Sequence, residues 1–280
     1  GFSALEGLPF SFAAHHPNPR LLRLINMALG VISTEETYAI LNRWGVNGMD
    51  FKGQEPLKFS ASEQQWIDQH PRVNVAVNEF LPFTFFDEQG VFSGISADLL
   101  AKISLRTGLK FDLIRKRTVP ELVDAVTQGE ADLVPSFTPS SRREHVLRFS
   151  KPYLSTPFVL VTRAAPNSSQ TLDDLKGKRV ALVIDTVLTP YLEKHFPGVH
   201  LIAANNSAHA LEMVAKKDVD GAINSLISAR YLIKQQYLGQ LEIRSTVGNS
   251  PAQFSLAVDA KKDELYSILG KALTSISPEE

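Results

Sequence analysis

The sequence predicts an α/β fold built as two lobes with a cleft between them. Candidate strands and helices alternate from residue 73 onward in two successive series, and such alternation favours mostly parallel sheets. A chain of 280 residues is long enough for about two domains or lobes of ordinary size. With 44% hydrophobic and 21% charged residues, it has the apolar surface that a folded core requires.

Composition excludes several classes of function. Lys and Arg number 29 against 30 Asp and Glu, the net charge is −1, and the basic residues are scattered, so we expect no nucleic-acid partner. The lack of cysteine excludes a disulfide framework, a thiolate zinc site and a cysteine nucleophile. The seven histidines are dispersed and no phosphate-binding glycine loop or hydrolase motif occurs, so we predict neither a metal nor a cofactor. No apolar run reaches the length of a membrane helix.

An internal repeat indicates that the chain contains parts of two similar domains. Residues 10–36 align without a gap to residues 254–280, where chance would give roughly one or two identities. Two unrelated amphipathic helices could look alike, but they would not share the Phe-Ser-x-Ala that begins both segments. The identical pairs are Phe10/Phe254, Ser11/Ser255, Ala13/Ala257, Leu21/Leu265, Ala28/Ala272, Leu29/Leu273, Ile32/Ile276, Ser33/Ser277, Glu35/Glu279 and Glu36/Glu280.

We therefore expect residues 1–44 to be the tail of a preceding copy, and residues 45–58, rich in Gly, Asn and Asp, to be a linker. The sequence starts at Gly1 without an initiator Met or a signal peptide. Residues 277–280 repeat the capping box that begins a helix after the first copy. On these grounds we expect a piece of a longer protein that continues beyond Glu280.

Local signals place the elements of the second copy. Ser60 and Glu63 form a capping box for a short helix that Pro71 ends, and alternating valines from Val73 predict the first strand. Further strands are predicted at 110–114, 131–134, 158–162, 180–184, 222–223 and 253–258. Further helices are predicted at 97–107, 118–129, 188–195, 207–216, 226–236 and 263–275.

Five motifs then follow one another along the second copy. They are Pro82-Phe83, Gly94-Ile-Ser-Ala-Asp98, Gly129-Glu-Ala-Asp132, Phe149-Ser150-Lys-Pro152-Tyr153 and Leu172-Asp-Asp174-Leu-Lys-Gly177. In this order they resemble the family-3 extracellular solute-binding domain, or venus flytrap domain, over roughly residues 70–280. The tandem copies and the connector Phe59-Ser-Ala-Ser-Glu-Gln-Gln-Trp66 resemble the BvgS/EvgS type of hybrid sensor histidine kinase.

The resemblance implies a bilobed, periplasmic-binding-protein-like (type II) α/β fold, with two parallel-sheet lobes joined by two crossing strands. The crossings would lie near Val159–Ala164 and Ser250–Ala257. Lobe 1 would begin with residues 59–162, lobe 2 would comprise residues 163–249, and residues 250–280 would return to lobe 1 as a strand and the C-terminal helix.

The same resemblance implies a place and partners for the domain. It would be the periplasmic part of an inner-membrane protein, would follow another venus flytrap copy in the same chain, and would form a homodimer within the full-length protein. The fragment itself would not be an enzyme, because the histidine kinase would lie outside these residues.

Lobe 1 supplies the first predicted ligand residues. By family register, Arg143 is the guanidinium that grips a ligand carboxylate, and its planar fork suits that chemistry. Arg142 is the alternative residue to bind the carboxylate, or else a neighbour that points into solvent. Ser136 and Thr138, in the loop before Arg143, would bond the same carboxylate, although Ser-x-Thr in a loop is also a common turn former. Phe80 would stack on the ligand, or belong to the core.

Lobe 2 departs from the amino-acid binders of the family. The turn after its first strand reads Asp185-Thr186 instead of Gly-Ser/Thr-Thr, and Asn224-Ser225 stands where a ligand-pairing aspartate is usual. A buried ammonium without a counter-charge is costly. We therefore predict that the ligand is a small organic anion, for example an aromatic carboxylate that stacks on Phe80, and not a free α-amino acid unless Asp185 pairs with its ammonium.

Three functions compete on this fold. The leading interpretation is a sensory module whose ligand shifts an equilibrium between open and closed lobes. A substrate-binding protein of an ABC uptake transporter has the same fold but does not need a tandem copy. An enzyme such as a cyclohexadienyl dehydratase would need a general acid in the cleft, for which Glu79 and Asp185 are the candidates.

Overall fold

The computed structural model describes residues 57–165, 170–183 and 186–276, together with Leu21 and Ile25, which are helical. The chain divides into two compact units, Gly1–Lys58 and Phe59–Glu280. The predicted tail of a preceding copy, most of the predicted linker, Asp185 and the capping box at 277–280 lie outside the described residues. The assignments made to them stay predictions.

Strands and helices alternate over much of the second unit, as the sequence predicts. The first half contains α1 (Ala61–Gln69), β1 (Arg72–Val77), β2 (Phe85–Phe86), β3 (Phe92–Ser93), α2 (Ile95–Thr107), β4 (Lys110–Arg115), α3 (Val119–Thr127), β5 (Leu133–Phe137) and β6 (Leu147–Phe149). The second half contains β7 (Leu154–Arg163), β8 (Arg179–Val183), α4 (Leu188–His195), β9 (His200–Ala204), α5 (Ser207–Ala215), β10 (Gly221–Ser225), α6 (Leu226–Gln236), β11 (Leu241–Asp259) and α7 (Asp263–Ser275).

The sheet has two parallel regions joined by antiparallel strands. Its order is β4-β1-β5-β11-β7-β10-β8-β9, with β6 paired to β11. Strands β4, β1 and β5 are parallel in lobe 1, and β10, β8 and β9 are parallel in lobe 2. β7 and β11 run antiparallel to each other between these regions. The predicted α/β fold with two parallel-sheet lobes and two joining strands is therefore confirmed.

The two joining strands are longer than the sequence predicts. β11 has 19 residues, and its pairing with β7 shifts register between Ile243 and Thr246 and again between Val247 and Ala252. The sequence predicts only residues 253–258 as strand here, because Gly248 to Pro251 has the composition of a turn. A bulged strand accommodates such residues without leaving the sheet.

Capping residues begin most helices that line the lobes. Ser60 and Glu63 form the predicted capping box, and Thr118, Asn206 and Ser225 accept backbone N–H donors at the starts of α3, α5 and α6. These short polar side chains fix where each helix starts, and three of the four starts lie beside the cleft.

An aromatic cluster joins the loop after β1 to the joining strands. Phe83 is fully buried, and its ring lies 4.1 Å from that of Phe254 in β11. The same core cluster includes Leu182 and Leu188 of lobe 2, so the loop that carries Phe83 packs against both halves of the unit. This loop forms one wall of the space between the lobes.

Candidate ligand-binding site

A cavity of about 80 Å³ lies between the lobes and is bounded by both joining strands. Its lining comes from the ends of β1, β5, β8 and β10 and from the starts of α3, α5 and α6, and the ends of strands are where open α/β sheets place ligands. The lining residues are Asn78, Phe80, Val119, Leu122, Ser136, Phe137, Thr138, Arg143, Phe158, Leu182, Val183, Thr186, Asn206, Ser207, Ile223, Asn224, Ser225, Ala252 and Phe254.

Seven of the eight residues predicted from the sequence line this cavity, and the eighth, Asp185, is outside the described residues. The structure brings together Phe80, Ser136, Thr138 and Arg143 of lobe 1 with Thr186, Asn224 and Ser225 of lobe 2. Their roles toward a ligand stay predictions. Their hydrogen bonds within the protein indicate which of them could still bond to a ligand.

Arg143 is held in place by its own loop. It begins a short 3₁₀ turn after β5 and is 5% exposed, whereas the neighbouring Arg142 is exposed. Its Nη1 donates to the carbonyl and the hydroxyl oxygen of Thr138 at 2.8 and 3.0 Å. The guanidinium carbon lies 4.3 Å from the centre of the Phe137 ring. Burial and these contacts favour Arg143 over Arg142 as the residue that faces the cavity.

Ser136, near the end of β5, adds a hydroxyl to the site. It is 5% exposed, and among the described residues its Oγ has no hydrogen-bond partner at standard geometry. The hydroxyl of Tyr153 lies near but donates to the carbonyl of Pro135 at 3.1 Å. Burial raises the pKa of Tyr153, and the Ser136 and Ser96 hydroxyls oppose that rise. A buried hydroxyl in this state is available to a ligand.

The starts of three helices converge on the cavity. Val119 is the first residue of α3, Asn206 and Ser207 begin α5, and Ser225 caps α6, and all four residues line it. The N-terminus of a helix carries a partial positive charge and unpaired N–H groups, which together favour an anion. The fold therefore adds to the charge of Arg143.

The polar lining of lobe 2 is neutral and largely occupied in holding the backbone. The Nδ2 of Asn224 donates to the Ser207 carbonyl, and its Oδ1 accepts from the Ser225 N–H, both at 3.0 Å. The Ser225 Oγ accepts from the Ser228 N–H at 3.2 Å. The lining as described contains no carboxylate, so Arg143 is its one charged side chain. These contacts engage both ends of the Asn224 amide and the Ser225 hydroxyl with backbone groups.

Four phenylalanine side chains are part of the cavity lining. Phe80 stacks on Phe83 at 4.9 Å between ring centres and lies 5.7 Å from Phe254. Phe137 and Phe158 also line the space and are 4% and 6% exposed. Because one face of Phe80 is covered by Phe83, only its other face or its edge is open to a ligand.

Several lining residues are missed by the sequence analysis, although some carry a local signal. Asn78 directly follows β1, and Asn206 and Ser207 form the start of a helix, so each stands where a strand or loop meets the cleft. Phe158 and Ala252 have no such signal, because their place in the cavity depends on how β7 and β11 pair. Glu79, the candidate general acid, is exposed and is not among the described lining residues.

The described ranges contain neither a metal-binding cluster nor a helix of membrane-spanning character. In residues 57–165, 170–183 and 186–276, no group of three or more His, Asp or Glu side chains is placed to hold a metal ion. None of the helices described has both the length and the apolar character needed to cross a membrane.

Two lobes joined by a pair of strands, with a cavity between them, define the class of bilobed solute-binding proteins. The chain belongs to the bacterial extracellular solute-binding proteins, family 3, whose sequence profile matches residues 73–280.

Sensor proteins are among its similar relatives. The chain is 40% identical over 271 residues to the virulence sensor protein BvgS of Bordetella pertussis, covering 96% of this chain and 22% of that protein. It is 32% identical over 264 residues to the sensor protein EvgS of Escherichia coli K12, covering 93% of this chain and 22% of that protein. The chain thus spans about a fifth of the length of these relatives.

Solved structures show the same relationship. The crystal structure of the B. pertussis BvgS periplasmic VFT2 domain is 41% identical, with a TM-score of 0.76, and the match covers 80% of this chain and 95% of that one. The BvgS periplasmic domain is 39% identical with a TM-score of 0.79, covering 93% of this chain and 51% of that one. The predicted resemblance to this family is confirmed, and the relatives support a periplasmic location.

Proposed function

We propose that this domain senses a small organic anion, which binds between the lobes and changes the balance of their open and closed forms. The observation that carries the proposal is the buried Arg143 in a cavity whose described lining holds no carboxylate. A guanidinium pairs well with a carboxylate through two parallel hydrogen bonds.

Three other features support an anion. The starts of α3, α5 and α6 direct positive partial charge at the cavity. The Ser136 hydroxyl offers a donor, and Thr138 holds the guanidinium through its carbonyl and hydroxyl oxygens. These groups belong to different elements, so the preference for negative charge does not depend on one side chain.

The lining disfavours a free amino acid. An ammonium group that leaves water needs an acceptor of negative charge. Asn224 and Ser225 are engaged with backbone groups, and no acidic side chain is found in the described lining. Asp185 follows Ile184 and precedes the lining residue Thr186, so it remains the alternative partner for an ammonium.

The size and walls of the cavity favour a small, partly apolar ligand. An engineered cavity of about 150 Å³ accepts benzene, and this one measures about 80 Å³. An aromatic ligand such as benzoate therefore needs the lobes to separate further, whereas a short monocarboxylate such as pyruvate needs less room. The phenylalanine side chains around it suit a short or aromatic monocarboxylate.

The output of the domain is proposed from its relatives, which are named as sensor proteins. A ligand shifts the lobes only by the difference in its affinity for the two forms. In this proposal the C-terminal helix transmits the change in lobe balance toward a membrane segment and a histidine kinase. Both would belong to a longer, dimeric protein that also contains a preceding copy of the domain.

Calorimetry on the purified chain tests the ligand class. Benzoate and pyruvate represent monocarboxylates, and alanine, glutamate and arginine represent zwitterionic amino acids. We expect a monocarboxylate to bind. Arg143→Met should lower its affinity at least tenfold, whereas Arg142→Met should change the affinity by no more than about twofold. Binding of an amino acid that is lost on Asp185→Ala would contradict the proposal.

A transport function is the second candidate. The chain is 24% identical over 178 residues to a probable amino-acid ABC transporter-binding protein of Haemophilus influenzae, covering 63% of this chain and 68% of that protein. Sequencing the gene on both sides of this segment separates the two candidates, because a kinase downstream supports sensing and a lone binding protein supports uptake.

A further inference from the structure

The helix that begins the second unit and the helix that ends it are joined by one buried carboxylate. Helix α1 packs against the C-terminal helix α7, although some 200 residues separate them in sequence. Glu63 of α1 is 4% exposed. Buried glutamates are uncommon in proteins unless they are paired, so its contacts indicate what the residue is for.

Both oxygens of Glu63 accept hydrogen bonds. Oε2 accepts from the Ser60 N–H and from the Lys271 Nζ, each at 2.6 Å, and Oε1 accepts from the Ser267 hydroxyl at 2.6 Å. Ser267 and Lys271 lie one turn apart on the same face of α7. A single side chain therefore caps α1 and ties it to two consecutive turns of α7.

The other end of α7 is tied to lobe 1. Lys262, at its start, pairs with Asp132, and Asp263 pairs with Arg148. The Arg148 guanidinium also lies 3.9 Å from the centre of the Tyr266 ring. Helix α7 is thus fixed to the body of lobe 1 near its first turn and to α1 near its last.

The two donors of Glu63 are absent from the repeat in the first copy. In the gapless alignment, Ser267 corresponds to Arg23 and Lys271 to Met27, a constant offset of 244 residues. The apolar positions of the two helices match, whereas these two polar positions differ. The contact with Glu63 is therefore particular to the helix that ends the second copy.

From these contacts we propose that the hydrogen bonds from Ser267 and Lys271 to Glu63 form a rigid link between α1 and α7, called the joint. The joint makes the helix that begins the domain and the helix that ends it move as one body. Glu63 positions α7 against α1, because its carboxylate accepts both of these hydrogen bonds. The proposal rests on the sensing function above, and it adds a second input. A displacement of the chain before residue 59 would reach α7 through this joint without passing through the ligand cavity.

Hydrogen exchange on the whole chain tests the joint. Lys271→Met removes a donor on α7 and leaves the capping box of α1 in place. We expect amides in residues 59–70 to exchange at least ten times faster, since α1 loses its attachment. Glu63→Gln should act in the same direction. Lys216→Met breaks an exposed pair with Glu212 in lobe 2 and serves as the matched control, with no change in residues 59–70.

A distance measurement tests whether the helices move together. The sequence has no cysteine, so spin labels can be placed at Gln65→Cys and Thr274→Cys, two exposed positions on α1 and α7. We expect one narrow distance distribution in the parent chain and a distribution at least twice as wide when Lys271→Met is added.

Two results would overturn the joint. One is unchanged exchange in residues 59–70 together with an unchanged distance distribution. The other is faster exchange spread evenly over β1 and β5, which would mean that Lys271 only supports the stability of the whole domain. Both measurements are made without ligand. If benzoate and the other monocarboxylates fail to bind the parent chain, the sensing proposal fails. The exchange and distance measurements would still show whether the joint exists.

Discussion

Arg143 shows how a loop prepares a side chain for a ligand. Thr138 and Phe137 hold the guanidinium from two sides before any ligand arrives, so little side-chain freedom remains to be lost on binding. Lysine would keep the charge at this position but not the planar pair of donors.

We therefore expect Arg143→Lys to weaken binding of benzoate by about tenfold, or ~1.4 kcal/mol, without a comparable loss of stability. Calorimetry and thermal unfolding of the same sample separate the two effects. Arg142→Lys is the control, because Arg142 is exposed. If Arg142→Lys weakened benzoate binding as much as Arg143→Lys, the carboxylate of benzoate would be bound by the loop in general and not by Arg143 in particular.

Two serines that line the cavity should respond differently to alanine. Ser136 has a hydroxyl with no hydrogen-bond partner of standard geometry in the part of the chain described, whereas Ser225 caps α6. We expect Ser136→Ala to lower benzoate affinity at an unchanged midpoint of unfolding, and Ser225→Ala to cost about 1 kcal/mol of stability. Chemical denaturation of both variants checks this. A large loss of stability in Ser136→Ala would show that its hydroxyl supports the fold.

At the scale of elements, the start of α2 depends on close contact with the loop that carries Phe83. Gly94 has a φ of 108°, and a Cβ there would stand 2.5 Å from the Phe83 carbonyl oxygen and 2.6 Å from that of Pro82. Only glycine fits this approach. The contact fixes the loop whose side chains wall the cavity.

We expect Gly94→Ala to destabilise the domain by roughly 2 kcal/mol or more and to weaken ligand binding, because the loop must move. Gly270→Ala is the control in the helix interior of α7, where a Cβ meets nothing within 4 Å. That change should be neutral or stabilising by about 0.5–1 kcal/mol. Urea unfolding measures both, and a Gly94→Ala variant as stable as the parent would contradict this account.

Local chemistry predicts element starts well and element lengths less well. The capping box at Ser60 and the cap at Thr118 both appear where the sequence places them. Strand β9 and the first half of β11 are not predicted, because their pairing partners are distant in sequence and supply what the local pattern lacks.

The candidate site follows the same rule. Arg143 and Ser136 are found by family register, while Phe158 and Ala252 enter the cavity only through the pairing of the joining strands. Residues that a motif marks can be predicted, and residues that long-range pairing places cannot.

At the scale of the whole molecule, Glu63 links stability to pH. Hydrogen bonds from Lys271, Ser267 and Ser60 outweigh the opposing effect of burial and lower the pKa of Glu63 from 4.5 to about 2. A carboxyl group whose pKa is lower in the folded state stabilises the fold above pH 4.5. That contribution is lost as the pH falls from about 4.5 to about 2.

We expect the parent chain to lose stability between pH 5 and pH 2 more steeply than Glu63→Gln, by on the order of 2 kcal/mol over that range. Between pH 5 and pH 8 the two should run parallel, because Glu63 stays charged there. Urea midpoints measured across this range test the expectation. Parallel curves down to pH 2 would mean that the carboxylate has an ordinary pKa in the folded chain.

Strand β11 belongs to both halves of the unit and leads directly to the C-terminal helix. Its pairing with β7 changes register twice, between Ile243 and Thr246 and between Val247 and Ala252. Residues 253–262 connect the second of these shifts to the first turn of α7, and most of them are still strand. We therefore expect a change of twist at the shifts to reach the helix along β11 itself. The strand that joins the lobes and the helix proposed to carry the signal are thus one continuous segment of chain.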